Sequence, residues 1–284
     1  MDKDQLKNLP QRYGLKPNFT YGQNFLVDEI VLEDIVDAAG ITETDNVLEI
    51  GPGIGNLTRR LCERAGFVLS VEKDPKFLPV LKAVKKDFSD NFRFEIADAL
   101  EYDFQNFFTT HYQLPTTNSS YKVVANIPYY ITGKILKVLM AAKSKPTSVT
   151  ILTQKEVARN ITAEVGDLSL LAISVQLYGD ARVVQTVLAK SFYPAPKVDS
   201  AVLRIDIRPK PKYQIADEGQ FWKVLHACFA GKRKQLHNTL QNNLHLEKDQ
   251  VDKVLASVKI NPAARPQELS IEQWIELTSK INKI

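Results

Sequence analysis

The sequence is poor in cysteine and histidine, and each scarcity removes a class of chemistry. Its two cysteines, Cys62 and Cys228, lie far apart and show no C-x-x-C spacing. Neither a disulfide framework nor a redox dithiol is expected, only two reduced thiols. The four histidines, His111, His226, His237 and His245, form no i, i+4 pair, and no cysteine sits at finger spacing from them. No metal site is expected. Long apolar runs are missing too: none approaches the roughly 18 residues that a membrane span needs. The opening Met1–Asp2–Lys3–Asp4–Gln5 is charged and no apolar signal core follows it, so the expectation is a cytoplasmic protein with no membrane partner. Neither sign of charge dominates: 37 Lys and Arg face 33 Asp and Glu, a net charge of +4. That balance permits a nucleic-acid partner without requiring one. The 284 residues, 44% hydrophobic and 25% charged, suffice for a full core and a smaller second unit.

What is present is organised around Lys122–Val123–Val124–Ala125–Asn126–Ile127–Pro128–Tyr129–Tyr130. An apolar run stops at an amide, then a proline, then two aromatics. In an open α/β sheet, ligands sit outside the carboxyl ends of strands, so Asn126 and Tyr129 would emerge at a site. The Asn126 amide oxygen and the Ile127 carbonyl can both accept hydrogen bonds from an exocyclic amine, and Tyr129 offers a face on which a splayed-out base can stack.

The preceding chain supplies matching strand ends. Lys3, Lys7, Arg12 and Lys16, mixed with Pro10, Gly14 and Pro17, read as a basic arm able to touch phosphates. Tyr21–Gly22–Gln23–Asn24–Phe25–Leu26–Val27–Asp28 leads into a helix from Asp28 to Gly40, with Ile30, Val31, Ile35 and Val36 expected on its inner face. A strand at 46–50 runs into Gly51–Pro52–Gly53–Ile54–Gly55, followed by a helix at 57–63. Alternate glycines let a backbone turn sharply and approach a ligand. The spacing is E-x-G-x-G-x-G from Glu49, with Asn56 where a dinucleotide fold has its third glycine, a form that suits S-adenosylmethionine better than a pyrophosphate. A second strand, 67–71, ends at Glu72, where a carboxylate can accept both ribose hydroxyls. A helix with Phe77, Leu78, Leu81 and Val84 inward follows, and a third strand, 92–96, delivers Asp98, placed to accept adenine amino hydrogens. Residues 102–120 read as a surface loop.

After Tyr130 come a helix at 132–142, a strand at 148–152, Gln154–Lys155–Glu156–Val157, an apolar helix at 168–178, and strands at 182–188 and 198–207 that suggest an antiparallel edge. Between them, Phe192–Tyr193–Pro194–Ala195–Pro196–Lys197 is a stiff loop that could set Phe192 opposite Tyr129. Arg208–Pro209–Lys210–Pro211–Lys212 reads as a linker, dividing the chain into 1–208 and an all-helical 209–284. In that helical part Lys232, Arg233 and Lys234 fall at a helix junction and, with Arg208, Lys210 and Lys212, form a possible phosphate track.

Taken in order from about residue 13 to the end, these motifs resemble the ribosomal RNA adenine N6,N6-dimethyltransferases, the KsgA/RsmA family. The resemblance rests on Gly22–Gln23–Asn24–Phe25–Leu26, Glu49–Ile50–Gly51–Pro52–Gly53, Val71–Glu72, Ala97–Asp98–Ala99, Asn126–Ile127–Pro128–Tyr129, Gln154–Lys155–Glu156–Val157 and the stretch from Phe192 to Ser200. It implies an α/β fold: a Rossmann-like class I methyltransferase sheet, mostly parallel with an antiparallel edge, and a small C-terminal helical domain. It implies an enzyme that dimethylates two adjacent adenosines near the 3′ end of small-subunit rRNA in the immature subunit; a monomer is the default expectation. By the same resemblance Asn24, Leu26, Gly51, Glu72, Asp98 and Asn126 contact S-adenosylmethionine, while Asn126, Tyr129 and Phe192 surround the target base. Lys155, Lys197, Lys232, Arg233 and Lys234 are the residues expected to contact RNA. The alternatives are an Erm-like enzyme acting on large-subunit rRNA and an assembly factor whose binding matters more than its methylation.

Overall fold

In the computed structural model, which describes residues 23–102, 120–210 and 212–282, the chain forms two compact units. One comprises the chain up to Ala158 together with Asp180–Ile207; the other, Arg159–Gly179 together with Arg208 onward. The basic arm before residue 23 and most of the loop expected at 102–120 lie outside the described residues.

The first unit is built on strands β1 (Phe25–Leu26), β2 (Asn46–Ile50), β3 (Phe67–Glu72), β4 (Phe92–Ile96), β5 (Tyr121–Asn126), β6 (Ser148–Gln154), β7 (Gly179–Val187), β8 (Phe192–Tyr193) and β9 (Ser200–Ile207). Seven of these form one sheet in the order β4-β3-β2-β5-β6-β9-β7, and β1 pairs antiparallel with β8 in a separate ribbon. Strands β4 through β6 run parallel, and β9 lies antiparallel to β6. Alternate strand residues are buried on both sides: Val47, Val124 and Leu152 on one face, Leu48, Val123 and Ile151 on the other. Burial on both faces is why these strands read as near-continuous apolar runs.

Helices α1 (Glu29–Ala39), α2 (Asn56–Arg64) and α3 (Leu78–Asp87) pack on the first face. Helix α1 is preceded by Asp28 and ends at Gly40 in the left-handed conformation, as the sequence indicates. Of the expected inner face, Ile35 and Val36 are buried and Val31 packs against the core, joined by Leu32 and Ala39, whereas Ile30 is 75% exposed. The i, i+3, i+4, i+7 stripe that meets the sheet begins at Leu32, and Ile30 falls outside it. In α3 the buried positions are Val80, Leu81 and Val84, with Phe77 just before; Leu78 is only half-buried. Helix α4 (Thr132–Ala141) follows β5 and buries Ile135, Leu136 and Leu139.

The second unit contains α6 (Leu170–Gln176), α7 (Glu218–Phe229), α8 (Leu236–Leu244), α9 (Lys248–Ser257) and α10 (Ile271–Ile281); α5 (Lys155–Ile161) spans the division between units. Its core joins Ala172, Ile173, Phe221, Leu225, Leu240, Leu255 and Trp274. Residues 159–179 thus belong with the helical unit because α6 buries its apolar face there. Two of its helix starts are capped by side chains: Asp217 accepts from the Gln220 N–H at 2.9 Å, and Ser270 and Gln273 form a capping box. Cys62 and Cys228 are buried free thiols, and burial pushes both upward in pKa, Cys228 to about 12.

Two features of the sheet yield measurable consequences. Gly66 sits in the turn between α2 and β3, where an added Cβ would come 2.4 Å from the Glu43 carbonyl oxygen, a backbone atom that cannot swing away. Gly66→Ala should therefore lower stability by about 2 kcal/mol or more, read from urea denaturation. Glu49 lies fully buried in β2 and accepts a hydrogen bond from Ser70 Oγ at 2.5 Å. Burial pushes its carboxyl from 4.5 to about 7, the Ser70 and Thr58 hydroxyls opposing this and the charge of Glu72 adding to it. The folded protein thus takes up this proton before the unfolded chain does. The group's favourable contribution is complete below about pH 4.5 and is lost as pH rises through about 7. Glu49→Gln should accordingly gain stability relative to the parent across that window, on the order of 3 kcal/mol at full extent. A stability difference between the two proteins that does not vary with pH would contradict the assignment.

Candidate active site

The order of the parallel strands reverses at β2, which lies between β3 and β5, and at such a reversal the strand ends diverge to leave a crevice. Register decides what lines it. Ile50 of β2 is opposite Val71 of β3 and Ala125 of β5, so Gly51, Glu72 and Asn126 leave their strands side by side. Glu72 is in turn opposite Ile96 of β4, which brings Asp98 next in the row. The result is a cavity of about 260 Å³. Asn24, Leu26, Gly51, Glu72, Asp98, Asn126, Tyr129 and Phe192, all the expected cofactor and base residues, line it together.

The glycine turn is bound to the strand ends on either side. Gly51, Gly53 and Gly55 all have positive φ. At Gly51 the need is also one of space, since a Cβ would stand 3.1 Å from Ile127 Cγ2 and 3.5 Å from the Asn126 carbonyl oxygen. Glu72, 7% exposed, accepts from the Gly53 N–H at 3.1 Å through Oε2 and from the Asp74 N–H at 2.8 Å through Oε1. Burial raises its pKa, and these backbone donors oppose the rise. A carboxylate has about four acceptor positions, so two backbone donors leave capacity for two more. Asp98 accepts from the Leu100 N–H at 3.0 Å and from Lys73 Nζ at 2.6 Å, and the Lys73 ammonium holds its carboxyl below the usual range.

Asn24, Leu26 and Phe192 arrive by a different route, through the β1–β8 ribbon, where Phe25 faces Tyr193 and Leu26 faces Phe192. Asn56, at the start of α2, donates from Nδ2 to the Leu26 carbonyl at 2.9 Å and so ties this ribbon to the glycine turn. The sequence marks Asn56 only as a missing glycine; a lone polar residue opening a helix carries no signal of such a tie. Phe192 is 4% exposed and belongs to the core as well as to the cavity wall.

Residues Tyr129–Ile131 form a 3₁₀ turn whose first hydrogen bond runs from the Ile131 N–H to the Pro128 carbonyl at 3.2 Å, one residue beyond Ile127. The Tyr129 phenol is fixed by Ser200 Oγ at 2.6 Å, and burial raises its pKa. Ser200 is a second contact that the sequence does not announce.

The cations expected to bind RNA lie outside the cavity. Lys155 and Lys197 are exposed; the Lys155 N–H donates to the Asp199 carbonyl at 3.1 Å, which holds the start of α5 beside the loop carrying Lys197. Lys232, Arg233 and Lys234 are exposed in the α7–α8 turn of the helical unit. Among the described residues no group of three or more His, Cys, Asp or Glu is placed to hold a metal ion, and no helix is long and apolar enough to cross a membrane.

Comparison with known proteins agrees with this geometry. Ribosomal RNA small subunit methyltransferase A of Dehalococcoides mccartyi is 39% identical over 273 residues, 96% of this chain and 91% of that protein. The protein of the same name from Clostridium botulinum is 38% identical over 280 residues, 98% of each chain. A solved dimethyladenosine transferase from Plasmodium falciparum has a TM-score of 0.73 at 26% identity, over 90% of this chain and 96% of its own. The 23S rRNA methyltransferase ErmE has a TM-score of 0.68 at 28% identity, over 91% of this chain and 100% of its own. The sheet is therefore that of the Rossmann-like methyltransferases. The model of the ribosomal RNA adenine dimethylase family matches residues 14–283, and with relatives this similar along nearly the whole chain, the protein belongs to that family.

Proposed function

We propose that this protein uses S-adenosylmethionine to dimethylate N6 of two adjacent adenosines near the 3′ end of 16S rRNA. It would act as a cytoplasmic monomer on the immature small ribosomal subunit. The observation that carries this reading is the meeting, in one cavity, of a glycine turn, two carboxylates and the Asn126–Ile127–Pro128–Tyr129 corner. The relatives named for the small subunit, at 38–39% identity, favour that substrate over the large-subunit rRNA of ErmE's name, at 28%.

The residues present suit the cofactor. Gly51 lines the cavity at a positive φ, its missing Cβ letting Ile127 and the Asn126 carbonyl close in beside it, and Glu72 retains acceptor capacity for a pair of hydroxyls. Asn24, Leu26, Gly51, Glu72, Asp98 and Asn126 would hold it. When bound, S-adenosylmethionine supplies an electrophilic methyl group on a sulfonium sulfur.

The protein's own task is to make a poor nucleophile adequate. The N6 lone pair of adenine is delocalised into the ring. Hydrogen bonds from N6–H to the Asn126 amide oxygen and the Ile127 carbonyl draw that nitrogen toward tetrahedral geometry and localise the pair. Tyr129, its hydroxyl held by Ser200, presents a ring of fixed orientation on which the flipped base stacks, and Phe192 backs the slot. Much of the acceleration is then positioning. The alkylated nitrogen is acidic and releases its proton to water, so the site needs no strong base. After the first transfer one N–H remains, and the amine must rotate before the second.

Transfer of labelled methyl groups to subunits lacking this modification, with the products mapped by mass spectrometry, tests the reading. Dimethyladenosine at two neighbouring positions of 16S rRNA is expected; label confined to 23S rRNA would replace it with the Erm-like reaction. Asn126→Ala should lower turnover by about 100-fold or more while RNA binding stays near that of the parent. Tyr129→Ala should cost more than Tyr129→Phe, which loses only the bond to Ser200, worth about 1 kcal/mol.

A further inference from the structure

Large apolar side chains left exposed on a folded surface call for a reason when they border a site. Among the described residues, Tyr130 is the most exposed aromatic, 64% accessible, and of the large hydrophobic side chains that stand out in solvent it alone also lines the cavity. Its backbone is stiff. Pro128 precedes it, it lies in the 3₁₀ turn Tyr129–Ile131, and α4 continues directly from that turn with Thr132 fully buried. In a turn of about three residues per revolution, neighbouring side chains diverge by about 120°. Tyr129 is half-buried and bonded to Ser200 while Tyr130 stands out at the mouth.

Cations surround that mouth. Lys73 has a side chain 73% exposed, pairs with Asp98 and lines the same cavity as Tyr130. Lys134, one turn further along α4, is exposed and its charge reaches Asp98. An exposed ring flanked by ammonium groups is the combination by which proteins hold single-stranded RNA, the ring taking a base face and the cations its phosphates.

We infer that Tyr130 is a stacking platform for the nucleotide next to the target adenosine, with Lys134 and Lys73 facing the phosphate between the two. When one base turns into the cavity its neighbour loses a stacking partner, and Tyr130 replaces it at the rim. This subsite rests on the proposed reaction and extends it: Tyr129 takes the base being methylated, Tyr130 the base beside it. Where two adjacent adenosines are modified in turn, each would occupy the rim while the other occupies the slot.

Steady-state methylation of small subunits lacking the modification, by the full-length protein, separates this role from others. Tyr130→Ala should raise KM for the subunit by about 5- to 150-fold, the usual range for one base–aromatic stack, with kcat much less affected. Tyr130→Phe and Tyr130→Trp should restore KM, because the ring and not the hydroxyl acts. The affinity of Tyr130→Ala for S-adenosylmethionine, measured by calorimetry, should equal that of the parent. An unchanged KM in Tyr130→Ala overturns the inference, as does a Phe variant no better than Ala, or a loss that falls on S-adenosylmethionine affinity instead. Each of these leaves the proposed reaction standing; failure of the parent protein to methylate small subunits at all would instead remove the reaction itself.

Discussion

The site depends on the parallel register of β2 against its two neighbours. Ile50 opposite both Val71 and Ala125 is what lets Gly51, Glu72 and Asn126 emerge together. Side chains alternate along a strand, so a slip of one residue would exchange the faces of Glu49 and Ile50 and bring different strand ends side by side. The core forbids this. Val47, Leu48 and Ile50 are at most 2% exposed, and burying each such side chain contributes about 1.5–3 kcal/mol. The energy that fixes the catalytic geometry is thus the energy of the sheet's own packing. The short bonds beyond the strand ends, Gly51 N–H to the Val71 carbonyl at 3.0 Å and Ala97 N–H to the Glu72 carbonyl at 2.9 Å, extend that register into the loops.

A second constraint comes from far along the chain. The β1–β8 ribbon joins residues 25–26 to 192–193, and it is reinforced by the Val27 N–H to the Ser191 carbonyl at 2.9 Å and by Ser191 Oγ to Asp28 at 2.9 Å. Asn56 fastens the same ribbon to the glycine turn. One wall of the cavity is therefore local to the sheet, and the other is closed only when the end of the first unit folds back on its beginning.

These two constraints explain what could be read from the sequence. The strand ends carrying Gly51, Glu72, Asp98 and Asn126 were legible because each follows an apolar run of strand length and breaks it with a group of distinct chemistry. The ribbon was not: strands of two residues have no periodicity, and nothing local announces that Leu26 will face Phe192. The ties from Asn56 to Leu26 and from Tyr129 to Ser200 join polar residues of common type across long separations, so only the fold reveals them. In α1, Val31, Ile35 and Val36 meet the core as the sequence indicates and only Ile30 does not, because Ile30 is as apolar as Leu32 and only packing distinguishes them. Residues 159–179 show the same limit: an apolar helix advertises that it will be buried, not against which core.

The acid–base character of the cavity follows from the same burial. Glu72 spends part of its acceptor capacity on the glycine turn, Asp98 is paired with Lys73, and Glu49 lies within the sheet outside the cavity wall. The proposed chemistry requires no carboxylate to remove a proton before transfer, because the amine becomes acidic only after it has been alkylated. What that chemistry requires is a pair of acceptors held at a fixed separation. On the proposed mechanism the corner would meet this need by drawing them from consecutive residues, a side-chain amide and a backbone carbonyl, ahead of a proline whose fixed φ stiffens their connection to Tyr129. The Asn126 amide, the Ile127 carbonyl and the Tyr129 ring sit on one short segment at the end of β5, so the register that aligns Asn126 with Gly51 aligns the whole corner at once.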